Sequence, residues 1–127
     1  MPVATRPLEY VAFFSIEIAT KEGNAHVFLA VDAYLDYVFN LGVERTRDKE
    51  TVLKNVYFLI EHPDFAQHLG NGFTLVLEDF QEFEPQITNI IRPNGGSLLF
   101  DRLYHNQIIH PVLVSFHNML FQKGEGD

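Results

Sequence analysis

The feature that most limits the fold is a change of hydrophobic period part-way along the chain. From Tyr10 to Arg45 the apolar residues come in β-branched and aromatic runs. From Asp48 to Pro63 they recur at three- and four-residue spacing. The first region reads as three strands. Tyr10–Thr20 (YVAFFSIEIAT) has Glu17 as its only internal acid, and Lys21–Asn24 is a turn with Gly23 and Asn24 at its tip. Ala25–Tyr34 is so apolar that it suits a strand buried on both faces, and Leu35–Arg45 follows as a third strand. The second region reads as a helix carrying Val52, Leu53, Val56, Leu59 and Ile60 on one side. Asp48 is placed to cap it, Glu50 and Thr51 lie in its first turn, and Pro63 stops it.

The remainder is read in the same way. His68–Gly72 is loop and Gly72–Leu77 a fourth strand. Gln81–Ile91 is a short helix running into an extended piece, and Arg92–Ser97 a flexible turn. A last helix is expected from Ile108, with Pro111 in its first turn, where a missing N–H is harmless. Its apolar stripe is Ile109, Val112, Leu113, Phe116, Met119 and Leu120. The abundant phenylalanines, among them Phe13, Phe14, Phe28, Phe39, Phe58 and Phe65, are expected in the core. There is no repeat and no linker, so residues 1–127 are read as one domain with 1–8 and 122–127 as loose ends. Meander strands, then a helix, then a further strand predict an α/β fold, a mixed sheet with helices on its faces.

Charge restricts the partners. Lys plus Arg is 9 against 17 for Asp plus Glu, a net charge of −8. Nucleic-acid grips are normally basic because phosphate neutralisation supplies much of the affinity, so nucleic acid is a doubtful partner. The absence of Cys excludes disulfides and thiolate metal sites. No apolar run approaches the ~20 residues that span a bilayer, and the N-terminus lacks the apolar core of a secretory signal. The expectation is a soluble, cytoplasmic chain with no membrane partner.

The segments LAVDAYLDYVFNLGVE, ETVLKNVYFLIEH, LVLEDFQEF and VLVSFHNML, in this order, resemble the ribonuclease-H-like catalytic core of retroviral integrases and related transposases. The resemblance runs from about Phe13 to Phe121. It implies a mixed five-stranded sheet, a three-strand meander plus crossover strands, with helices on its faces. It also implies a site of three carboxylates converging on two divalent metals, Mg²⁺ or Mn²⁺, which clamp the attacking and leaving oxygens of a phosphodiester.

The acids of that site are poorly matched here. The first belongs in strand one, where Phe14 and Ser15 stand, and Glu17 is the nearest acid. Strand alternation puts Glu17 on the face of Ser15. The second matches Glu78, with Asp79 beside it. Phe80 replaces the family's glycine, which argues against an open, permissive turn. The third matches Val114, and no Asp or Glu lies between Asp101 and Glu125. Some ribonuclease-H-like nucleases use a late histidine instead, so His110 and His117, on one helical face with Val114, are the remaining candidates. The six histidines (His26, His62, His68, His105, His110, His117) show no zinc-protease spacing and read as surface or satisfied residues. Asp32 reads as structural, near a turn.

Two functions follow from this pattern. One is a degenerate integrase-core-like domain of a mobile-element-derived protein, a scaffold for a protein partner or for self-association, with no cofactor and no catalytic residue. The other is a metal-dependent phosphoryl-transfer enzyme with a rewired site built from Glu17, Glu78 or Asp79, and His110 or His117, using Mg²⁺ or Mn²⁺. A third reading makes the chain the core of a longer transposase-like protein.

Overall fold

Two hairpins open the chain. Strand β1 (Tyr10–Thr20) pairs antiparallel with β2 (Gly23–Asp32), which pairs antiparallel with β3 (Val38–Glu44). The computed structural model describes residues 2–125, and beyond Ser115 it describes the backbone alone. Helix α1 (Lys49–Glu61) and the short α2 (Pro63–Ala66) lead to β4 (Phe73–Leu77). Then come α3 (Glu84–Ile91), β5 (Gly96–Phe100) and α4 (Arg102–Glu125). The sheet order is β3-β2-β1-β4-β5, with β4 parallel to both β1 and β5. This is the expected mixed five-stranded sheet.

Strand alternation divides the interior in two. Val11 and Phe13 of β1, Phe28 and Ala30 of β2, and Phe73, Leu75 and Leu77 of β4 point to the face covered by α1 and α3. There they meet Val52, Val56, Leu59, Ile60, Ile87, Ile90 and Ile91. The alternate residues Ala12, Phe14, Leu29, Val31 and Val76 point to the other face, against Tyr104, Ile108 and Ile109 of α4. Phe58, expected in the core, is exposed instead, with the Lys54 ammonium 5.9 Å from its ring centre.

Local chemistry sets the boundaries. Asp48 caps α1 by accepting from the Thr51 N–H at 2.9 Å. The first hairpin turns at Lys21 and Glu22, not at Gly23 and Asn24, because the Thr20 hydroxyl bonds the Gly23 carbonyl and the strands stay paired to that point. The register of β3 on β2 slips between Val27 and Leu29, leaving Leu41 and Gly42 opposite Phe28, a β-bulge. The Gly42 N–H donates to Asn55 Oδ1 of α1 at 2.6 Å, and the buried Asn55 amide donates in turn to the Thr51 carbonyl at 2.9 Å. A Cβ at Gly42 would lie 2.7 Å from that Oδ1, so the bulge is built around glycine.

The second half departs more from expectation. No extended piece follows Gln81. A 3-10 turn (Gln81–Phe83) runs straight into α3. The fifth strand lies after Arg92–Asn94, which forms another 3-10 turn where a flexible segment was expected. Helix α4 begins at Arg102, six residues before Ile108, because Asp101 Oδ1 accepts the Tyr104 N–H at 3.0 Å and caps it there. Pro111 is therefore inside the helix, not in its first turn. The lead expected to be loose is tied down from Arg6 onward. The Arg6 guanidinium donates to the carbonyls of Asn71 and Gly72, and Leu8 is buried. At the other end the α4 backbone continues to Glu125, and Gly126 and Asp127 lie outside the described residues.

Candidate functional site

The candidate site lies where β4 ends. The register of β1 with β4 reaches Ala12 opposite Val76, and Phe14 and Glu78, two residues further along each segment, both lie against His105. Alternation turns Glu78 toward α4, as it does Val76 and Phe14. The first turn of α4 begins at Arg102, because β5 ends at Phe100 beside Leu77 and the Asp101 N–H donates to the Leu77 carbonyl at 3.2 Å. That turn lays Arg102 and His105 over the strand tip.

These four side chains form the cluster. Arg102 Nε is 3.1 Å from Glu78 Oε1. His105 is buried, and its Nδ1 is 3.7 Å from Glu78 Oε2. His105 Nε2 sits 3.2 Å from the Phe13 carbonyl oxygen, and a carbonyl only accepts, so Nε2 carries a proton. Nδ1 has no hydrogen-bond partner among the described residues. Phe14 packs edge-on against the His105 ring at 5.8 Å. At the position implied for a first carboxylate there is thus a buried aromatic ring, and the carboxylate of Glu78 is spanned by a guanidinium and an imidazole.

The other expected site residues are scattered. Glu17 has the parity of Val11 and Phe13, so it lies on the α1 side of the sheet, opposite to Glu78. Its carboxylate is exposed and takes a hydrogen bond from the Asn24 amide. Asp79 follows Glu78 and turns the other way, to Arg47 Nη2 at 3.2 Å. Val114 is 42% exposed and half a helical turn out of phase with His105, so it is not the α4 residue that meets β4. Ser15 shares the side of Glu17. His110 is exposed, and the His117 side chain lies outside the described residues. Among the described residues no three His, Asp or Glu side chains converge as metal ligands.

The residue that sequence reasoning missed is His105. The sequence pattern reads it as a surface or satisfied histidine, ahead of a helix that starts at Ile108. A usable signal was present: Asp101 precedes it by four residues as a cap, and the apolar positions Tyr104, Ile108 and Val112 keep helical spacing back to Arg102.

Phe80 is the second surprise. It adopts φ 72°, the left-handed conformation normally left to glycine. A turn of the kind usually built on glycine is here made by a phenylalanine. Packing over-determines it: the buried ring lies 5.9 Å from Phe13, 6.3 Å from Phe28 and 6.4 Å from Phe83, with the Arg47 guanidinium 5.0 Å above it.

With the geometry in place, comparison with known proteins narrows the fold. No family model and no curated protein matches the chain. A solved structure does: a chain of the cryo-EM structure of the simian T-cell lymphotropic virus intasome in complex with PP2A regulatory subunit B56 gamma superposes with a TM-score of 0.75 at 8% identity. The match covers 100% of this chain and 45% of that one, so this chain spans less than half the neighbour's length. At that identity the likeness concerns architecture. The fold is ribonuclease-H-like, with the sheet order and helix placement described above. Among the described residues no helix is long and apolar enough to cross a membrane.

Proposed function

We propose that the domain is an integrase-core-like scaffold of a mobile-element-derived protein, in which the two-metal site has given way to a packed cluster and the surface serves a protein partner or self-association. The observation that carries this reading is Phe14. A two-metal mechanism needs several oxygen ligands around the pair of cations, about 3.5–4 Å apart. A buried ring beside Glu78 supplies none and occupies space that such ligands need. Arg102 adds an ion pair to the same carboxylate, a weak one because its own side chain is largely exposed. The net charge of −8 is in keeping with a domain that does not grip phosphates. The intasome of like fold is complexed with a protein regulatory subunit, which is in keeping with a protein-binding role for such a scaffold.

The test is a titration of Mn²⁺ into the purified domain, followed by two-dimensional amide NMR. The expected result is no localised broadening around Glu78 and His105 at millimolar metal, together with no cleavage or strand transfer on DNA. Cleavage that depends on Mg²⁺ or Mn²⁺ and is lost in Glu78→Gln would overturn the proposal. It would instead support an enzyme using Glu78 together with His105, which the fold brings beside it.

A further inference from the structure

At the end of the sheet away from the C-terminal tip of β4, the turn between β2 and β3 borders an open cavity of about 250 Å³ that no part of the reading above uses. Its lining includes Asp32, Leu8, Phe39, Tyr37, Leu35 and Asp64. Burial orders them in depth. Asp32, Leu8 and Phe39 are almost wholly buried and form the floor, whereas Leu35, Tyr37 and Asp64 are exposed and form the mouth.

Asp32 is the unusual member, with only 1% of its surface exposed. Its Oδ1 accepts two backbone N–H groups, from Leu8 at 3.0 Å and Tyr34 at 3.1 Å. Among the described residues no donor reaches its other oxygen, Oδ2, and no Lys, Arg or His lies within ion-pair distance of Asp32 or Asp64. Oδ2 keeps contact with solvent, since the described side-chain atoms shut off from water without a partner do not include it, so an entering donor or cation can reach it without displacing a protein group. At the mouth, Asp64 Oδ2 takes the Tyr37 hydroxyl at 2.9 Å, and this bond raises the tyrosine's pKa, holding it as a donor. The rings of Tyr37 and Phe39 meet edge to face at 4.7 Å and make an aromatic wall.

We propose that this cavity binds a primary ammonium group on a short alkyl stem. Asp32 Oδ2 takes the ammonium at the floor, Asp64 adds negative charge at the mouth, and the stem lies along Leu8, Leu35 and the aromatic wall. An anionic floor with an apolar, aromatic wall is the combination that favours an organic cation over a bare ion, because both halves of the ligand are satisfied. The chain's negative charge draws cations toward it at long range. The same chemistry is presented by a free small amine and by a lysine side chain of another protein. This inference does not rest on the loss of the metal site.

The probe is n-butylammonium chloride, with n-butanol as the neutral twin, read by amide NMR. The expected result is a saturable, millimolar response confined to Leu8, Tyr34, Leu35 and Tyr37 with butylammonium only. Asp32→Asn keeps an acceptor for both backbone N–H groups and loses the charge, and it should weaken binding at least about tenfold. Should that variant fold poorly, Asp64→Asn, which leaves an acceptor for the Tyr37 hydroxyl, should still weaken binding measurably. Nα-acetyl-lysine N-methylamide and 1,4-diaminobutane then separate the sources. A response to the capped lysine points to a protein side chain. A response to the diamine alone points to a small amine. An equal response to butanol, no localised response to butylammonium, or binding unchanged in Asp64→Asn and in a folded Asp32→Asn would overturn the proposal.

Discussion

The two faces of the sheet have been built on different principles. On the α1 and α3 side, the described core is apolar apart from two buried polar side chains: Asn55, which bonds the bulge in β3, and Asp32 at the end of β2, which accepts the Leu8 and Tyr34 N–H groups. On the α4 side, the apolar set Phe14, Leu29, Val31, Val76, Ile108 and Ile109 is interrupted at one end by Glu78, His105 and Arg102. The first face holds the fold together by burial. The second gathers Glu78, His105 and Arg102 at one end of an otherwise apolar face. The packed core and this polar cluster are thus carried on opposite sides of the same strands.

The strongest challenge to that contrast is Phe28→Ala, which empties the centre of the dry face. It should cost about 3–5 kcal/mol in denaturant unfolding. Phe80→Gly comes next. It relieves about 1–2 kcal/mol of left-handed strain but loses a packed ring, for a net cost of roughly 2–3 kcal/mol. A stabilised variant would mean the ring contributes nothing to the turn. Ile108→Ala, on the α4 face, should cost about 2 kcal/mol, near the low end for such truncations, because the site beside it is already partly polar and open. If it matches Phe28→Ala, the two faces are energetically alike and the contrast fails.

Smaller effects sharpen it further. Glu78→Gln should change stability by less than about 1 kcal/mol, since its Arg102 partner is 80% exposed and such pairs are weak. A large loss would mean that the cluster helps hold the fold together. The smallest effect concerns the cap of α1. The Thr51 N–H, and then its hydroxyl, hold the Asp48 carboxyl below the usual carboxylate range. A lowered folded value means that the contribution is present above the unfolded value and is lost as pH falls through the folded one. The melting temperatures of the natural chain and Asp48→Asn should therefore differ at neutral pH and converge in acid.

Much of this architecture was legible in the residues. The strand Tyr10–Thr20 and the helix capped by Asp48 carry strong periods, and the structure has them as read. The second half was harder because its elements are short and its signals conflict. Gly96–Phe100 is five residues long and sits behind a Pro-Asn-Gly run that reads as loop. Pro111 looked like a helix start, yet the helix begins at the Asp101 cap and carries the proline in its interior. The site was less legible still. Whether Glu17 or His105 belongs with Glu78 depends on which side of the sheet each faces and where α4 starts. The period of β1 shows that Glu17 and Phe14 are on opposite sides, but not which side receives α4.

The bulge in β3 has a consequence for how the molecule behaves in a crowded solution. β3 is an outer strand, and an outer strand normally presents a continuous row of donors and acceptors on which another chain can pair and grow. By turning the Gly42 N–H inward to Asn55, the chain removes a rung from that row and bends the strand at the same point. Asn55 thus takes one donor out of the edge. Asn55→Ala, by freeing that amide, is expected to shorten the lag before aggregation by more than its loss of stability alone accounts for, as read by light scattering against a stability-matched variant elsewhere in α1.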